Sequence, residues 1–248
     1  MTNISSPLIL AMETATRAGS VSLSLGPEIL ASVAGDASSS HSNHLIENIE
    51  TILRDARREL RDVDLFAATL GPGSFTGLRI GLATAKALAM SMDKKCAGVS
   101  TLAAVAVAAG ESARTVALLP AGRGEVFAQM LAVKDGDVHP LDSATHIAPQ
   151  SLTLRYGEFR TLLWAGEGAH LQIEVLRAEA KARGINFQSN GSPNPSTDGW
   201  RVAPPQNKLA EAVAKLAVRE WEAGSVVDPQ ELHANYLRAS DAEIKSHA

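Results

Sequence analysis

The stretch Gly71-Pro72-Gly73-Ser74-Phe75-Thr76-Gly77-Leu78-Arg79-Ile80-Gly81 lies between two apolar segments of different pattern. The run at residues 65–70 precedes it and predicts a buried strand, whereas the alanine-rich segment at residues 82–92 predicts a helix. Gly77 and Gly81 belong to the start of that helix, where glycine costs roughly 0.5–1 kcal/mol relative to alanine. The stretch is therefore a strand-to-helix turn, and its glycines indicate a close approach by another group.

Three strands and a helix are predicted before this turn. Residues 8–12 form a continuous apolar run, as expected for a strand buried on both faces. Residues 20–25 alternate polar and apolar side chains, which is typical of a strand with one exposed face, and residues 29–33 can form a third strand. Residues 44–61 show helical spacing of their apolar side chains. The opening is thus an antiparallel meander followed by a helix.

The chain after the turn repeats this order. A strand at residues 96–99 and a helix up to Ala109 complete the first half. Further strands and helices are predicted at residues 115–119, 125–133, 138–141, 149–156, 161–164, 170–183 and 205–222. The segment from Gln188 to Trp200 is rich in Asn, Ser, Pro and Gly and predicts a mobile surface loop. A strand meander followed by alternating helices and strands in each half is the architecture of the ribonuclease-H-like, actin-like ATPase superfamily.

We therefore predict an α/β protein with a two-lobed, actin-like fold, in which each lobe is a mixed sheet with flanking helices. The N-terminal lobe is expected at residues 1–105 and a second, degenerate lobe at residues 106–204. The helix at residues 205–224 is expected to pack back on the N-terminal lobe, and residues 225–248 are expected to form a C-terminal tail. The length of 248 residues allows one large domain or two small ones.

Composition narrows the class of protein. The chain has 23 lysines and arginines against 27 aspartates and glutamates, for a net charge of -4. Because a protein that binds nucleic acid alone normally has a basic surplus, a role with RNA would need a partner's charge. Cys96 is the single cysteine, which excludes an intramolecular disulfide and suits a reducing compartment. With no signal-peptide pattern and no apolar run of about 20 residues, we expect a cytoplasmic protein.

Several sequence blocks together resemble one family in order and spacing. The blocks are Ile9-Leu10-Ala11-Met12-Glu13-Thr14-Ala15-Thr16, His41-Ser42, the stretch from Gly71 to Gly81, Gly98-Val99-Ser100-Thr101, Gly124-Glu125-Val126-Phe127 and Tyr236-Leu237-Arg238. They are similar to the bacterial TsaB (YeaZ) family, a paralogue of TsaD within the Kae1/TsaD superfamily, which older labels call Gcp-like or peptidase M22-like. The similarity covers nearly the whole chain and is densest before about residue 105.

The resemblance implies a non-catalytic partner subunit. Such a subunit would bind and activate TsaD for threonylcarbamoyl transfer to the adenosine next to the anticodon in tRNAs that read ANN codons. The resemblance also implies TsaE as a further partner, contact with tRNA only through the complex, and a homodimer when TsaD is absent. The alternative is an actin-like-fold ATPase or metal-dependent hydrolase that acts on its own.

Departures from the family pattern bear on that alternative. Glu13 stands where the family usually has Asp, and Pro120-Ala121-Gly122 stands where an Asp-Ala-Arg run is common. Both positions lie where an actin-like enzyme would arrange phosphate and metal, so they argue against intrinsic nucleotide chemistry. Ala234-Asn235 precedes Tyr236 where the family usually has Pro-Val. We expect no intrinsic cofactor, with ATP or ADP binding only in the assembled complex.

The residues themselves give little support to catalysis. A P-loop needs Gly-Lys-Ser/Thr, but Gly77 is followed by Leu78-Arg79. The candidate anion-binding residues of this turn region are Thr14, Gly73, Ser74, Thr76 and Arg79. His41 and His44 are three residues apart without a carboxylate motif, so no metal site is expected. Ser100 lacks a nucleophile elbow, and Glu13 and Glu125 pair only if the fold joins them. No catalytic residue is therefore predicted.

The row of small residues on the predicted helix suggests a helix–helix interface. Small side chains at four-residue spacing allow two helices to approach closely, and neighbouring leucines supply apolar area. The predicted partner-binding residues are Gly77, Leu78, Gly81, Leu82, Ala85 and Ala89, with Leu45 and Ile49 of the preceding helix. The alternative is that this row packs on the chain's own helix or sheet.

Overall fold

The structure is a computed structural model that describes residues 6–35, 41–189 and 198–237. Twelve strands are assigned in these ranges: β1 Leu8–Glu13, β2 Ser20–Leu25, β3 Glu28–Ala34, β4 Leu65–Gly71, β5 Lys95–Ser100, β6 Ser112–Gly122, β7 Glu125–Lys134, β8 Asp137–Pro140, β9 Thr145–Ile147, β10 Leu162–Ala165, β11 Phe187–Ser189 and β12 Trp200–Val202. Seven α-helices accompany them: α1 His41–Asp55, α2 Phe75–Ser91, α3 Thr101–Ala109, α4 Pro149–Tyr156, α5 Glu167–Leu171, α6 Ile173–Ala182 and α7 Leu209–Glu222. Short 3-10 helices cover Leu60–Asp62 and Pro229–Glu231.

The chain divides into two compact units. The first comprises Met1–Ala104 and Asn207–Asn235, and the second comprises Val105–Gln206 and Tyr236–Ala248. Residues 225–235, predicted as part of a C-terminal tail, belong to the first unit. Residues 238–248 of that tail lie outside the described residues. None of the helices in the described ranges is long and apolar enough to cross a membrane.

The first unit contains a five-stranded sheet in the order β3-β2-β1-β4-β5. The strands β3, β2 and β1 form the predicted antiparallel meander, whereas β1–β4 and β4–β5 are parallel. Helices α1 and α2 cover one face of the sheet, where Leu10, Leu23 and Phe66 form part of the core. The apolar runs of β1 and β4 are buried throughout their interiors, as a central strand requires.

The prediction that one face of β2 is exposed was wrong, because helix α7 covers it. Ser22 and Ser24 are fully buried, and Ser20 is 4% exposed. The Ser20 hydroxyl accepts a hydrogen bond from the Ala210 amide at 2.9 Å, so it satisfies a donor in the first turn of α7. Short serine side chains leave room for α7 to pack on the sheet, mainly through alanine and valine side chains.

Helix α1 ends earlier than its apolar spacing predicts. We expected a helix over residues 44–61, but α1 spans His41–Asp55. Arg57 has a left-handed backbone conformation with φ 53°. The Arg57 amide donates to the Arg54 carbonyl at 3.0 Å, and the Arg58 amide donates to the Leu53 carbonyl at 2.9 Å. This pair of bonds is a Schellman motif, which terminates the helix.

The second unit contains a mixed sheet in the order β11-β12-β10-β6-β7-β8, with β9 also paired to β7. Helices α4 and α6 contribute to a core on one face of this sheet, where Tyr156, Trp164 and Trp200 are fully buried. The two tryptophan rings are 5.2 Å apart at 66°, and the Trp200 indole donates to the Phe159 carbonyl at 2.9 Å.

The ends of the predicted mobile loop are ordered strands. Gln188 lies in β11 and Trp200 begins β12, so the prediction of a surface loop was wrong at these two residues. Residues 190–197 of that segment lie outside the described residues. Other boundaries also shift, since the helix expected at residues 170–183 is divided into α5 and α6, and α7 begins at Leu209.

Candidate functional site

The glycine-rich turn at the end of β4 caps helix α2. Ser74 is the N-cap, and its hydroxyl accepts a hydrogen bond from the Gly77 amide at 3.2 Å. The Ser74 amide donates to the Ala15 carbonyl, and the Leu78 amide donates to the Ser74 carbonyl, both at 2.8 Å. These three amides of the turn are therefore bonded within the chain, as in an ordinary helix start.

The first row of small residues on α2 faces the loop that follows β1. A Cβ atom on Gly77 would lie 1.9 Å from the Thr14 carbonyl oxygen, and one on Gly81 would lie 2.2 Å from the Thr14 hydroxyl. Real Cβ atoms do not approach other atoms this closely, so both positions need glycine. The close approach that the sequence indicated is thus made by the chain's own Thr14.

All the residues that we predicted for partner binding are buried within the first unit. They are Gly77, Leu78, Gly81, Leu82, Ala85 and Ala89 of α2, and Leu45 and Ile49 of α1. Several of them contribute to the core between the two helices and the sheet. These residues therefore hold α1 and α2 in place but do not themselves present a surface.

The opposite side of α2 presents a different row of small and apolar side chains. We call it the outward face of α2 and define it by Thr76, Ile80, Ala83, Ala87 and Met90. Thr76, Ala83, Ala87 and Met90 are exposed, Met90 at 59%, and Ile80 is partly buried. The spacing of three or four residues places these side chains on one face of the helix.

The charged side chains of α2 leave most of the outward face apolar. Arg79 is exposed near its N-terminal end, and the guanidinium carbon lies 3.9 Å from the centre of the Phe75 ring. Lys86 donates to the Leu232 carbonyl at 3.1 Å. Helix α1 packs beside α2 and carries another exposed apolar side chain, Ile46, which is 52% exposed. Small and apolar exposed side chains like those of the outward face of α2 are the kind that allow another helix to pack closely.

The candidate anion-binding residues do not share one environment. Thr14 is buried against the glycines of α2, whereas Ser74, Thr76 and Arg79 are exposed and Gly73 is partly buried. Ser74 acts as a cap and Arg79 stacks on an aromatic ring. The structure brings Ser74, Thr76 and Arg79 together at the start of α2, but it places Thr14 inside.

The two predicted carboxylates have separate local roles. Glu13 is 1% exposed, and its two oxygens accept from the amide and the hydroxyl of Thr16, each at 2.7 Å. Glu13 belongs to the first unit and Glu125 to the second. The Glu125 carboxylate lies 2.9 Å from His146 Nε2, a neighbour that sequence spacing did not indicate. Glu13 therefore stabilises the loop after β1.

In the described part of the chain there is no metal cluster, either at residues 120–122, which depart from the family pattern, or around the histidines. Pro120, Ala121 and Gly122 are the last residues of β6, ahead of the turn to β7. His44 lies beside Glu47, with 3.1 Å between Nδ1 and a carboxylate oxygen. Within the described ranges no group of three or more His, Cys, Asp or Glu side chains could hold a metal ion.

Comparison with known proteins gives a consistent assignment. The family model described as TsaD, tRNA N6-adenosine threonylcarbamoyltransferase, matches residues 33–193, more than half of the chain. The tRNA threonylcarbamoyladenosine biosynthesis protein TsaB of Buchnera aphidicola subsp. Schizaphis graminum is 25% identical over 209 residues, covering 82% of this chain and 84% of that protein. The TsaB protein of Escherichia coli (strain K12) is 35% identical over 122 residues, which are 48% of this chain and 52% of that protein.

A solved structure agrees with the assignment at the level of the fold. The structure described as YeaZ from Pseudomonas aeruginosa superposes with a TM-score of 0.74 at 22% identity, covering 93% of this chain and all of that chain. The predicted two-lobed α/β fold is thereby confirmed. The family model and the related sequences confirm the resemblance found in the sequence. The chain belongs to the TsaB (YeaZ) family within the TsaD superfamily, and its role is in tRNA threonylcarbamoyladenosine biosynthesis.

Proposed function

We propose that this chain is a non-catalytic subunit that binds TsaD through the outward face of α2 and activates it. The reaction served would be threonylcarbamoyl transfer to the adenosine next to the anticodon in tRNAs that read ANN codons. The observation that carries the proposal is the row of exposed small and apolar side chains on α2, held rigidly by the packing of Gly77 and Gly81 against Thr14.

The relation between the two proteins supports the choice of partner. The TsaD family model matches this chain across α1 and α2, so a TsaD molecule would carry an equivalent pair of helices. Homologous chains can pair through the same surface about an approximate twofold axis, as identical subunits do. Exposed alanines at positions 83 and 87 would allow two helices to approach at the short end of the usual 8–10 Å spacing.

The proposal extends to the other components of the system. TsaE would join the complex formed with TsaD, and the chain would meet tRNA only through that complex. The chain would hold no cofactor of its own, and ATP or ADP would bind only after assembly. The uses of Glu13 and of the turn amides within the fold support this part, because those groups already have partners in the chain. Titration calorimetry with ATP and Mg²⁺ on the isolated chain would test it.

Ala83→Glu tests the interface directly. The variant places a carboxylate on the outward face of α2, where docking would bury it without a partner at a cost of several kcal/mol. We expect the affinity for TsaD of the same organism to fall at least tenfold, since 1.4 kcal/mol corresponds to a factor of ten. The measurement is co-elution with TsaD followed by biolayer interferometry and an assay of the modified nucleoside in tRNA.

The matched control is Ala178→Glu on α6, which makes the same substitution at another exposed helical alanine. Both variants should keep the circular dichroism spectrum and melting temperature of the parent chain, because glutamate is a good helix former. Normal TsaD binding by a folded Ala83→Glu variant would contradict the proposed interface.

A further inference from the structure

Three arginines lie close together in the turn of the backbone at the end of α1. The Arg57 amide bonds to the Arg54 carbonyl at 3.0 Å, and the Arg58 amide bonds to the Leu53 carbonyl at 2.9 Å. The backbones of Arg54, Arg57 and Arg58 are therefore close together, and all three residues are exposed. We call these three residues the arginine turn. Their long side chains can reach a common surface.

The arginine turn is a local excess of positive charge on a chain whose net charge is -4. Asp55 is the single acidic residue among residues 54–58. Two carboxylates that follow are engaged elsewhere, because Glu59 pairs with Arg61 at 2.6 Å and Asp62 accepts from the Glu59 amide at 2.8 Å. Among the residues that the structure describes, Arg57 and Arg58 have no ion-pair partner.

Placing arginines in this turn costs free energy that ending the helix does not require. The helix dipole favours a cation in the last turn, which accounts for Arg54. Arg57, however, occupies a position with φ 53°, where glycine is the usual residue and any other side chain is disfavoured. Like charges placed this close also repel one another. An external polyanion would offset the repulsion between these guanidinium groups.

We propose that the arginine turn binds phosphate groups of the tRNA backbone in the complex with TsaD. This inference rests on the proposed function, which supplies the complex. Guanidinium groups form paired hydrogen bonds with phosphate oxygens, and such contacts position a nucleic acid without reading its sequence. Arg54 lies eight residues from Ile46 on α1, about 12 Å along the helix, and Arg57 and Arg58 follow beyond the helix end, so tRNA would approach α1 at a different place from TsaD.

The test uses the purified complex of the chain with TsaD and an unmodified transcript of a tRNA that reads an ANN codon. Binding is measured by fluorescence anisotropy over a series of salt concentrations. For Arg57→Glu/Arg58→Glu we expect affinity to fall about tenfold and the slope of log K against log salt to fall by about two. Co-elution with TsaD should stay unchanged.

A control pair and a third variant separate this role from general effects of charge and folding. Arg160→Glu/Lys215→Glu makes the same change of net charge at two exposed positions outside α1 and should leave the salt slope unchanged. Arg57→Gly removes one charge but suits the left-handed conformation, so we expect weaker tRNA binding together with a melting temperature that does not fall.

Four outcomes are decisive. If the parent chain fails to co-elute with TsaD before RNA is added, the proposed function itself is contradicted. An intact complex with unchanged tRNA affinity in Arg57→Glu/Arg58→Glu overturns the arginine proposal alone. Equal losses in the control pair also overturn it, because they would show a general charge effect. Loss of TsaD binding by a folded Arg57→Glu/Arg58→Glu variant would reassign the arginine turn to a protein contact and overturn the tRNA role.

Discussion

Gly81 shows how one residue couples the helix to the loop that passes over it. Alanine would improve helix propensity by roughly 0.5–1 kcal/mol, but its Cβ atom would lie 2.2 Å from the Thr14 hydroxyl. Overpacking of this kind typically costs 1–3 kcal/mol, so the steric effect outweighs the propensity. We therefore expect Gly81→Ala to lower the free energy of unfolding, measured by urea denaturation.

A substitution of Thr14, the residue that the new Cβ atom would contact, provides the control. Thr14→Ala removes the hydroxyl and leaves the Thr14 Cβ atom, 3.3 Å away, as a near neighbour. The double variant Gly81→Ala/Thr14→Ala should therefore be more stable than the sum of the two single effects predicts. Simple additivity in this cycle would show that the Thr14 side chain does not limit residue 81.

The ionisation of Cys96 makes the stability of the first unit depend on pH in the alkaline range. The thiol is buried in β5, and desolvation raises its pKa from 9.0 to about 11 although Lys86 acts in the opposite direction. The unfolded thiol thus ionises at lower pH than the folded one, and unfolding between pH 9 and about 11 releases a proton. Stability is retained below pH 9 and declines through this window, by on the order of 2 kcal/mol.

Cys96→Ala isolates this contribution from other groups that titrate in the same range. The variant should be less stable at neutral pH because it leaves a small cavity, yet it should lose less stability than the parent as the pH rises from 9 to about 11. Urea midpoints measured across this range would test the difference. Parallel pH profiles for the two proteins would mean that the thiol titrates alike in both states.

At the scale of elements, the local sequence pattern predicted the strands and helices that depend on contacts between nearby residues. The apolar run of β1 and the strand–turn–helix order around residues 65–91 follow from contacts within short segments, and the structure has them. The buried serine face of β2 could not be predicted in this way, because its cover, α7, follows almost the whole chain later. Ser20 and Ala210, whose hydrogen bond joins the two elements, are 190 positions apart.

Two other elements departed from prediction for local reasons that apolar spacing does not report. The spacing that predicted α1 continues to Leu60, but the helix is ended by the left-handed conformation of Arg57, a residue that rarely adopts it. Trp200 was predicted to lie in a surface loop because its sequence neighbours are polar, although its ring is fully buried in the core of the second unit. Composition over a window thus described the neighbours of Trp200 and not its own environment.

The sequence placed the predicted interface on α2, but which side of that helix is exposed required the structure. Helix α2 carries two rows of small residues at four-residue spacing, one with Gly77 and Gly81 and the other with Ala83 and Ala87. Because both rows are small and uncharged, the sequence cannot tell which one faces the sheet. The approach of Thr14 decides the question, since it places the glycines inside and leaves the alanines on the surface.

At the scale of the whole molecule, average properties conceal local ones. A net charge of -4 predicted that a role with RNA would need a partner's charge, but charge that acts at a surface depends on where each residue lies. The arginine turn concentrates three cations at one end of α1, while Ile46 and the outward face of α2 are apolar. One pair of helices could therefore serve a protein partner and a nucleic acid through separate surfaces.

The same reasoning predicts competition between copies of the chain and TsaD. An apolar face that docks a homologue can also dock a second copy, so we expect a weak homodimer when TsaD is absent. Because both pairings would use the outward face of α2, adding TsaD should replace the homodimer by mass action. Sedimentation velocity of the chain alone, and with increasing TsaD, measures both species, and Ala83→Glu should lose the homodimer and the TsaD complex together. A variant that loses one pairing and retains the other would show that the two partners occupy different surfaces.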